Sequence, residues 1–310
     1  MPSAAVEVDN LVKTYGQVRA VDGLSFTARR GAVTAVLGPN GAGKTTTVET
    51  CAGFRRADGG TVRVLGLDPH ADAARLRPAV GVMLQSGGVP PGARPVEVLR
   101  LAASLYAHPL DPAVLVDALG LGEAAGTPYR RMSGGQQRRL AFALALVGRP
   151  ELVFCDEPTA GLDPHGRLAM HGLVERLRDD GVSIVLTTHL MDEAERLADH
   201  VVIVDSGRVV AAGDPDSLTA GHGAEVVRFR GPAGRDTSGL AASLPAGCRV
   251  LEPTPSAYRV ERDAGGPLGP QVLAAVTAWC ARQGFMPGGL DVGRRTLEDV
   301  FLEVTGRDRR

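Results

Sequence analysis

The feature that most constrains this chain is the octapeptide Gly38-Pro39-Asn40-Gly41-Ala42-Gly43-Lys44-Thr45, which follows a short apolar run and opens a helical stretch. The spacing G-x-x-x-x-G-K-[ST] between a strand and a helix is typical of a loop that wraps a phosphate group. Its glycines let successive backbone N–H groups point at one anion, and the positive end of the following helix faces the same anion. We therefore expect a phosphate site with Lys44 on the phosphates, the Thr45 hydroxyl on Mg²⁺, and Thr46 beside them.

A second apolar run, Leu152–Asp156, ends in the acidic pair Asp156 and Glu157. Continuous apolar strands are typical of a parallel sheet, and the carboxyl edge of such a sheet is where nucleotides bind. We expect Asp156 to hold Mg²⁺ through water and Glu157 to polarise an attacking water molecule. An acidic pair after a strand more often lies in a solvated loop, so the phosphate loop is what makes this interpretation specific.

A third motif, Met132-Ser133-Gly134-Gly135-Gln136, precedes a helical run. Ser133 is a good N-cap for a helix through 137–147. A capped helix alone does not explain Gly134 and Gly135, because two glycines in a first helical turn cost about 1 kcal/mol each. The pattern indicates a helix start left open for the close approach of an anion.

These three motifs, in this order, resemble the nucleotide-binding domain of the ABC family over about residues 5–216. Met132 stands where the family signature usually has leucine, with similar volume and hydrophobicity. The resemblance implies a homodimer that sandwiches two ATP molecules between its chains. In it, Ser133 and the Gly135 backbone touch the γ-phosphate of the nucleotide held by the opposite chain, and Gly134 and Gln136 belong to the same signature.

Four further residues lie where the same resemblance implies a role. Gln85, after the predicted strand 80–84, resembles the glutamine that senses Mg²⁺ and the attacking water and faces the membrane partner. Asp163 resembles the aspartate that couples the two sites, and His189 the histidine that bonds the γ-phosphate. Tyr15 resembles the aromatic residue that stacks on adenine. Taken singly, three of them are also compatible with a structural role: Gln85 as a polar strand end, His189 as a structural histidine and Tyr15 as a surface tyrosine in a turn.

The composition indicates which classes of partner and which location to expect. The formal net charge is −1 and the sequence shows no basic tail or stripe, so we expect no nucleic-acid partner. No apolar run approaches the roughly 20 residues needed to span a bilayer, the longest being 140–147, and the N-terminus lacks a signal-peptide pattern. The four cysteines show no disulfide or metal spacing. We expect a peripheral protein on the cytoplasmic face of a membrane, from a GC-rich, bacterial genome.

The pattern of strands and helices predicts an α/β fold: a P-loop NTPase (RecA-like) core with a β-subdomain, a helical insertion and a small C-terminal α+β domain. We place the nucleotide-binding domain at 1–220, its helical subdomain at about 88–148, a linker at Gly221–Gly223 and the accessory domain at 222–310. The predicted segments of that last domain are three strands and a helix, at 225–230, 249–251, 257–260 and 271–283.

The tail 296–306 has apolar residues at i, i+3, i+4 and i+7, which predicts a core-facing helix. It also resembles the C-terminal sequence of drug-export ATPases similar to the daunorubicin-resistance subfamily. That resemblance implies ATP hydrolysis that drives export of a drug-like or hydrophobic molecule through a separate permease. The alternatives are a soluble ABC ATPase acting on the ribosome or nucleic acid, and an importer ATPase with a regulatory C-terminal domain. A non-hydrolysing module is disfavoured because Glu157 and His189 are both present.

Overall fold

The computed structural model describes residues 4–84, 88–219, 225–262 and 268–305. Nine strands belong to the first part of the chain: β1 Ala4–Tyr15, β2 Val18–Arg29, β3 Val33–Leu37, β4 Gly59–Val64, β5 Val80–Met83, β6 Leu152–Asp156, β7 Ser183–Thr188, β8 His200–Asp205 and β9 Arg208–Gly213. The helices of this part are α1 Lys44–Cys51, α2 Ala73–Leu76, α3 Pro95–Ala103, α4 Pro112–Ala118, α5 Gly134–Leu146, α6 Pro164–Asp179 and α7 Met191–Leu197, with a 3₁₀ turn at Tyr129–Arg131.

The later part of the chain contains α8 Pro215–Thr219, β10 Glu225–Arg230, α9 Ser238–Ala241, β11 Cys248–Thr254, β12 Ala257–Arg262, α10 Pro270–Arg282, β13 Gly288–Arg294 and α11 Leu297–Val304. The chain divides into two compact units, with the boundary between residues 212 and 213. Helix α8 joins the second unit because it packs on α11. The predicted linker at 221–223 lies outside the described residues, and the predicted domain limits stay a prediction.

A six-stranded sheet in the order β5-β6-β7-β3-β8-β9 forms the centre of the first unit. The pairs β3–β7, β3–β8, β5–β6 and β6–β7 are parallel. Every residue of β3, β6 and β7 is buried, as their uninterrupted apolar runs predict for strands covered on both faces. Because β3, β6 and β7 are parallel neighbours, the segments that follow them meet at one edge of the sheet. The predicted P-loop NTPase architecture is confirmed.

A separate antiparallel sheet in the order β2-β1-β4 makes the predicted β-subdomain. Strands β1 and β2 contain 12 residues each. Strand β4 was not anticipated, because its Gly59-Gly60 start is typical of a turn. It forms because Val62 and Val64 are buried against the same core as β1.

The helical insertion contains α3, α4 and α5. Proline occupies the first turn of α3 and of α4, where its missing N–H removes no helical hydrogen bond. Helix α5 begins at Gly134, directly after the predicted N-cap Ser133, and a capping box holds its first turn despite the two glycines. Its apolar face buries Leu140, Phe142 and Ala143.

The second unit is a four-stranded antiparallel sheet in the order β11-β12-β10-β13, with helices α9, α10 and α11. Its aromatic core stacks Phe229 on Tyr258 with ring centroids 5.1 Å apart, and Trp279 of α10 meets both rings edge-on. Strand β13 and helix α9 were missed. The glycine-rich sequence of β13 and its mostly exposed residues carry no apolar alternation that predicts a strand.

A buried layer of charge joins this sheet to the C-terminal helix. Arg259 is 1% exposed and contacts Asp299 of α11 at 3.1 Å, and Arg228 donates to the same carboxylate. Burial alone raises the pKa of Asp299, but hydrogen bonds from Arg228 and from the Thr296 backbone hold it below its ordinary value. Leu297, Val300 and Phe301 are buried, which confirms the core-facing helix. Within the described ranges, no helix is long and apolar enough to cross a membrane.

Candidate nucleotide site

The phosphate loop joins β3 to α1, as predicted. Gly41 and Gly43 adopt positive φ angles of 83° and 98°, and a Cβ atom on Gly43 would lie 2.4 Å from the Ala20 carbonyl oxygen. Only glycine fits such a position without strain or a clash. Helix α1 has no side-chain cap and no acidic residue in its first turn. Its first N–H groups and the positive end of its dipole are therefore left to an anion.

Lys44 lies over the loop that precedes it. Its ammonium donates to the carbonyl oxygens of Gly38 at 2.8 Å and of Pro39 at 3.0 Å, and the residue is 6% exposed. Burial lowers the pKa of Lys44, and the negative charges of Glu157 and Asp156 oppose that shift. The structure therefore brings the predicted phosphate lysine and the predicted acidic pair together.

Asp156 ends β6 and is almost fully buried. Its Oδ1 accepts a hydrogen bond from the Thr187 hydroxyl, whereas its Oδ2 has no hydrogen-bond partner among the described residues. A buried carboxylate oxygen without a donor is unfavourable unless a cation or water completes it. The donor set of Asp156 and the exposed Thr45 at the start of α1 therefore fits a hydrated Mg²⁺ ion.

Glu157 has a left-handed backbone, with φ of 48°, which is uncommon for a residue other than glycine. Its N–H donates to the Thr187 carbonyl and hydroxyl oxygens at 3.1 and 3.0 Å, so β7 holds the residue in this conformation. The Glu157 carboxylate lies 3.1 Å from Nδ1 of His189, whose side chain is 45% exposed. An ionised carboxylate only accepts, so Nδ1 carries the proton and Nε2 is left to a ligand.

Thr187 was not singled out by the sequence, although the pairing of β6 with β7 sets it directly beside Asp156. We expect Thr187→Val to lower the turnover number for ATP about tenfold with little change in KM, because it removes the hydroxyl that bonds the Asp156 carboxylate and the Glu157 N–H. Steady-state ATPase assays check this. The control is Thr34→Val, since the Thr34 hydroxyl on the adjacent β3 is equally buried and has no hydrogen-bond partner in the described residues. Equal losses in both variants would contradict the role of Thr187.

The signature segment is held by its own side chains. Ser133 Oγ accepts from the Gln136 N–H at 3.2 Å, and Gln136 Oε1 accepts from the Ser133 N–H at 2.9 Å. Arg138, one turn further along α5, donates to the carbonyl oxygens of Asp156 and Ala160 at 3.5 and 3.3 Å. This link between the signature helix and the acidic strand was missed, because nothing in the sequence distinguishes Arg138 from an exposed helical arginine.

The remaining predicted residues have the following places. Asp163 caps α6 by accepting from the Gly166 N–H at 2.7 Å. Tyr15 ends β1 with 40% of its surface exposed, and Lys13 and Arg55 lie 5.7 and 5.4 Å from its ring centroid. Gln85 lies outside the described residues. The structure thus joins Lys44, Asp156, Glu157 and His189 in one site, and the roles of the signature, Asp163, Tyr15 and Gln85 stay predictions.

Comparison with known proteins agrees with this geometry. A sequence model of the ABC transporter family matches residues 21–160. The daunorubicin/doxorubicin resistance ATP-binding protein DrrA of Streptomyces peucetius is 36% identical, over 98% of this chain and 93% of its own length. The Nod factor export ATP-binding protein I of Ralstonia nicotianae is 38% identical, over 98% of this chain and 95% of its own length.

Two solved structures share the fold. The ATP-binding subunit of an ABC transporter superposes with a TM-score of 0.64 and 27% identity, covering 70% of this chain and 92% of its own. A dimeric ATP-binding cassette in a post-hydrolysis state, bound to ADP and Pi, superposes with a TM-score of 0.63 and 22% identity, covering 67% and 98%. With relatives above 30% identity along nearly its whole length, this chain belongs to the family of ABC transporter ATP-binding proteins and is an ATPase.

Proposed function

We propose that this chain is the ATP-hydrolysing subunit of an exporter, which acts on a drug-like or hydrophobic small molecule through a separate membrane permease. The observation that carries the proposal is the likeness to DrrA and to the Nod factor export protein over 98% of the chain. That likeness includes the second unit and its tail, and not only the ATPase core. It favours an exporter over an importer whose C-terminal domain is a regulatory addition.

The geometry supports the following reaction. The uncapped start of α1 and Lys44 bind the phosphates of ATP. Thr45 and Asp156 would hold Mg²⁺, which would supply positive charge against the phosphoryl oxygens. Glu157 orients and polarises water for in-line attack on the γ-phosphate. His189 bonds the same phosphate through Nε2 in this proposal, and the support is that its other ring nitrogen, Nδ1, lies 3.1 Å from Glu157 Oε1. These groups bind charge already present on the phosphates of ATP, and they also stabilise the additional charge that develops in the transition state.

We further propose that two chains close on two nucleotides, with Ser133 and Gly135 of each completing the site of the other. Support comes from the capping box, which fixes the direction of α5, and from the exposed Gly134, where nothing lies within 4 Å of an added Cβ atom. At Gly135 an added Cβ atom would lie 3.3 Å from Leu162 Cδ2, so this position has little room for a side chain. Loss of the γ-phosphate then removes the contacts that differ between closed and open dimers, and the dimer opens. A permease bound to both chains would move with them at the cytoplasmic face of the membrane.

Purification of the full chain together with the membrane protein encoded beside it tests this proposal. We expect the two proteins to copurify in detergent, the chain to hydrolyse Mg-ATP, and inverted vesicles containing both to accumulate an amphipathic dye such as an anthracycline in an ATP-dependent way. Copurification with ribosomes or nucleic acid, without a membrane protein, would favour the soluble alternative. Dye movement in the opposite direction would favour an importer.

A further inference from the structure

Three acid–base contacts join α6 to α7. The residues on α6 are Arg167, His171 and Glu175. They are spaced four residues apart and therefore share one face of the helix. They contact Asp192, Glu193 and Arg196 of α7 at 3.9, 3.5 and 3.4 Å respectively. The outer two contacts are largely exposed to solvent, and the middle one is buried.

The middle contact is unusual because both partners are removed from water. His171 is 4% exposed and Glu193 is fully buried. Neither ring nitrogen and neither carboxylate oxygen of this pair makes an ordinary hydrogen bond within the part of the chain that the structure describes. Burial lowers the pKa of His171, and the charge of Glu193 opposes this shift. A buried polar pair this poorly satisfied is a weak source of stability, so stability alone does not account for it.

The two helices start at the functional loops. Helix α6 follows directly from its N-cap Asp163, and α7 begins two residues after His189. Glu193 also lies near the end of β6: burial raises the pKa of the Cys155 thiol, and the charge of Glu193 adds to the effect. Both helices pack on β7, and the pair connects the segment that carries Asp163 to the segment that carries His189.

We infer that His171 and Glu193 are positioning residues, whose buried contact fixes α7 on α6 and thereby sets the place of His189 against the γ-phosphate. Through this contact, the position of His189 depends on the segment that carries Asp163. That segment is also predicted to couple the two nucleotide sites. This inference rests on the proposed role of His189. It adds to that role a specific pair of side chains on which the rate of hydrolysis depends.

Glu193→Asp tests the inference in the full chain. This change keeps the charge but withdraws the carboxylate from His171 by one methylene. We expect turnover per nucleotide-binding site to fall about tenfold while KM for Mg-ATP changes less than about twofold, because only the placement of a transition-state contact is altered. The separate variant Glu193→Gln keeps the length of the side chain and a hydrogen-bonding group. Its turnover should be within about threefold of that of the unmodified chain.

The matched control is Glu175→Gln, which removes the exposed contact between the same two helices and should leave turnover unchanged. Folding is checked by thermal melting, and nucleotide-site titration corrects for inactive protein. If Glu193→Asp does not fold, the turnover of His171→Ala is measured instead, and the same loss is expected. His171→Ala combined with Glu193→Asp should be no slower than the slower single variant, since both break one contact.

The inference would be overturned by normal turnover in folded Glu193→Asp, or in His171→Ala where that variant is measured instead. Additive losses in the double variant, or an equal loss in the Glu175→Gln control, would also overturn it. Failure of the unmodified chain to hydrolyse Mg-ATP would be a different result, since it would contradict the proposed function itself.

Discussion

Glu157→Gln is expected to bind Mg-ATP with nearly unchanged affinity and to hydrolyse it at least about 100-fold more slowly than the unmodified chain. Glutamine keeps the size and hydrogen-bonding length of the side chain but cannot accept a proton from the attacking water. General-base catalysis of this kind contributes roughly 10²–10⁴-fold to rate. The left-handed backbone of Glu157 is held by two hydrogen bonds to Thr187, and neither involves the carboxylate, so the substitution leaves this geometry intact.

The same variant should accumulate as an ATP-bound dimer, because the closed state loses its contacts only when the γ-phosphate is cleaved. Single-turnover hydrolysis with quenched sampling measures the rate, and light scattering with Mg-ATP measures the dimer. Glu151→Gln is the control, since Glu151 precedes β6, is exposed and pairs only at the surface with Arg30. Turnover of Glu157→Gln at the unmodified rate would remove Glu157 from the reaction.

Lys44→Ala is expected to reduce affinity for ATP about 100-fold or more and to abolish measurable hydrolysis. Lys44 is the only cationic side chain in the loop 38–45, and it is buried where water cannot replace its charge. Charge-assisted hydrogen bonds to phosphate are among the strong ones in proteins, and their loss leaves phosphate oxygens without donors in a partly dehydrated site. We expect that raising the magnesium concentration does not restore the ATP affinity of this variant.

Isothermal titration with ATP and with ADP measures this effect. The comparison separates contacts to the γ-phosphate from contacts to the remaining phosphates, since Lys44 is expected to serve both. Arg30→Ala, which removes an exposed cation that follows β2, is the control and should bind ATP normally. A melting curve checks that the variant is folded, since the Gly38 and Pro39 carbonyls lose the ammonium donor in it. Unchanged ATP affinity in folded Lys44→Ala would contradict the phosphate-loop assignment.

The predictions that the structure confirms concern local features. The phosphate loop was predictable because its glycines have a backbone requirement that few other sequences meet, and Gly43 satisfies it with a φ of 98°. The cap of α5 was predictable because Ser133 and Gln136 hydrogen-bond only three residues apart. Buried parallel strands were predictable from uninterrupted apolar runs.

The features that were missed depend on partners far away in sequence. Strand β13 is glycine-rich and mostly exposed, and it is a strand because β10 pairs with it. Arg138 looks like any helical arginine until the fold brings the carbonyl of Asp156 to it. The contact of His171 with Glu193 has no periodicity or motif of its own, and it exists because α6 packs against α7.

The amino-acid sequence by itself determined which chemical groups are present and in what local conformation each is offered: a loop for phosphate, acids at the end of a strand, and a serine cap before two glycines. Those features depend on backbone sterics and on hydrogen bonds that span a few residues. Only the tertiary structure decided that Lys44, Asp156, Glu157 and His189 lie in one site, and that the Thr187 hydroxyl contacts the Asp156 carboxylate and the Glu157 N–H. The pairing of β3, β6 and β7 buries enough apolar surface to bring distant segments to one edge, and no local signal encodes that adjacency.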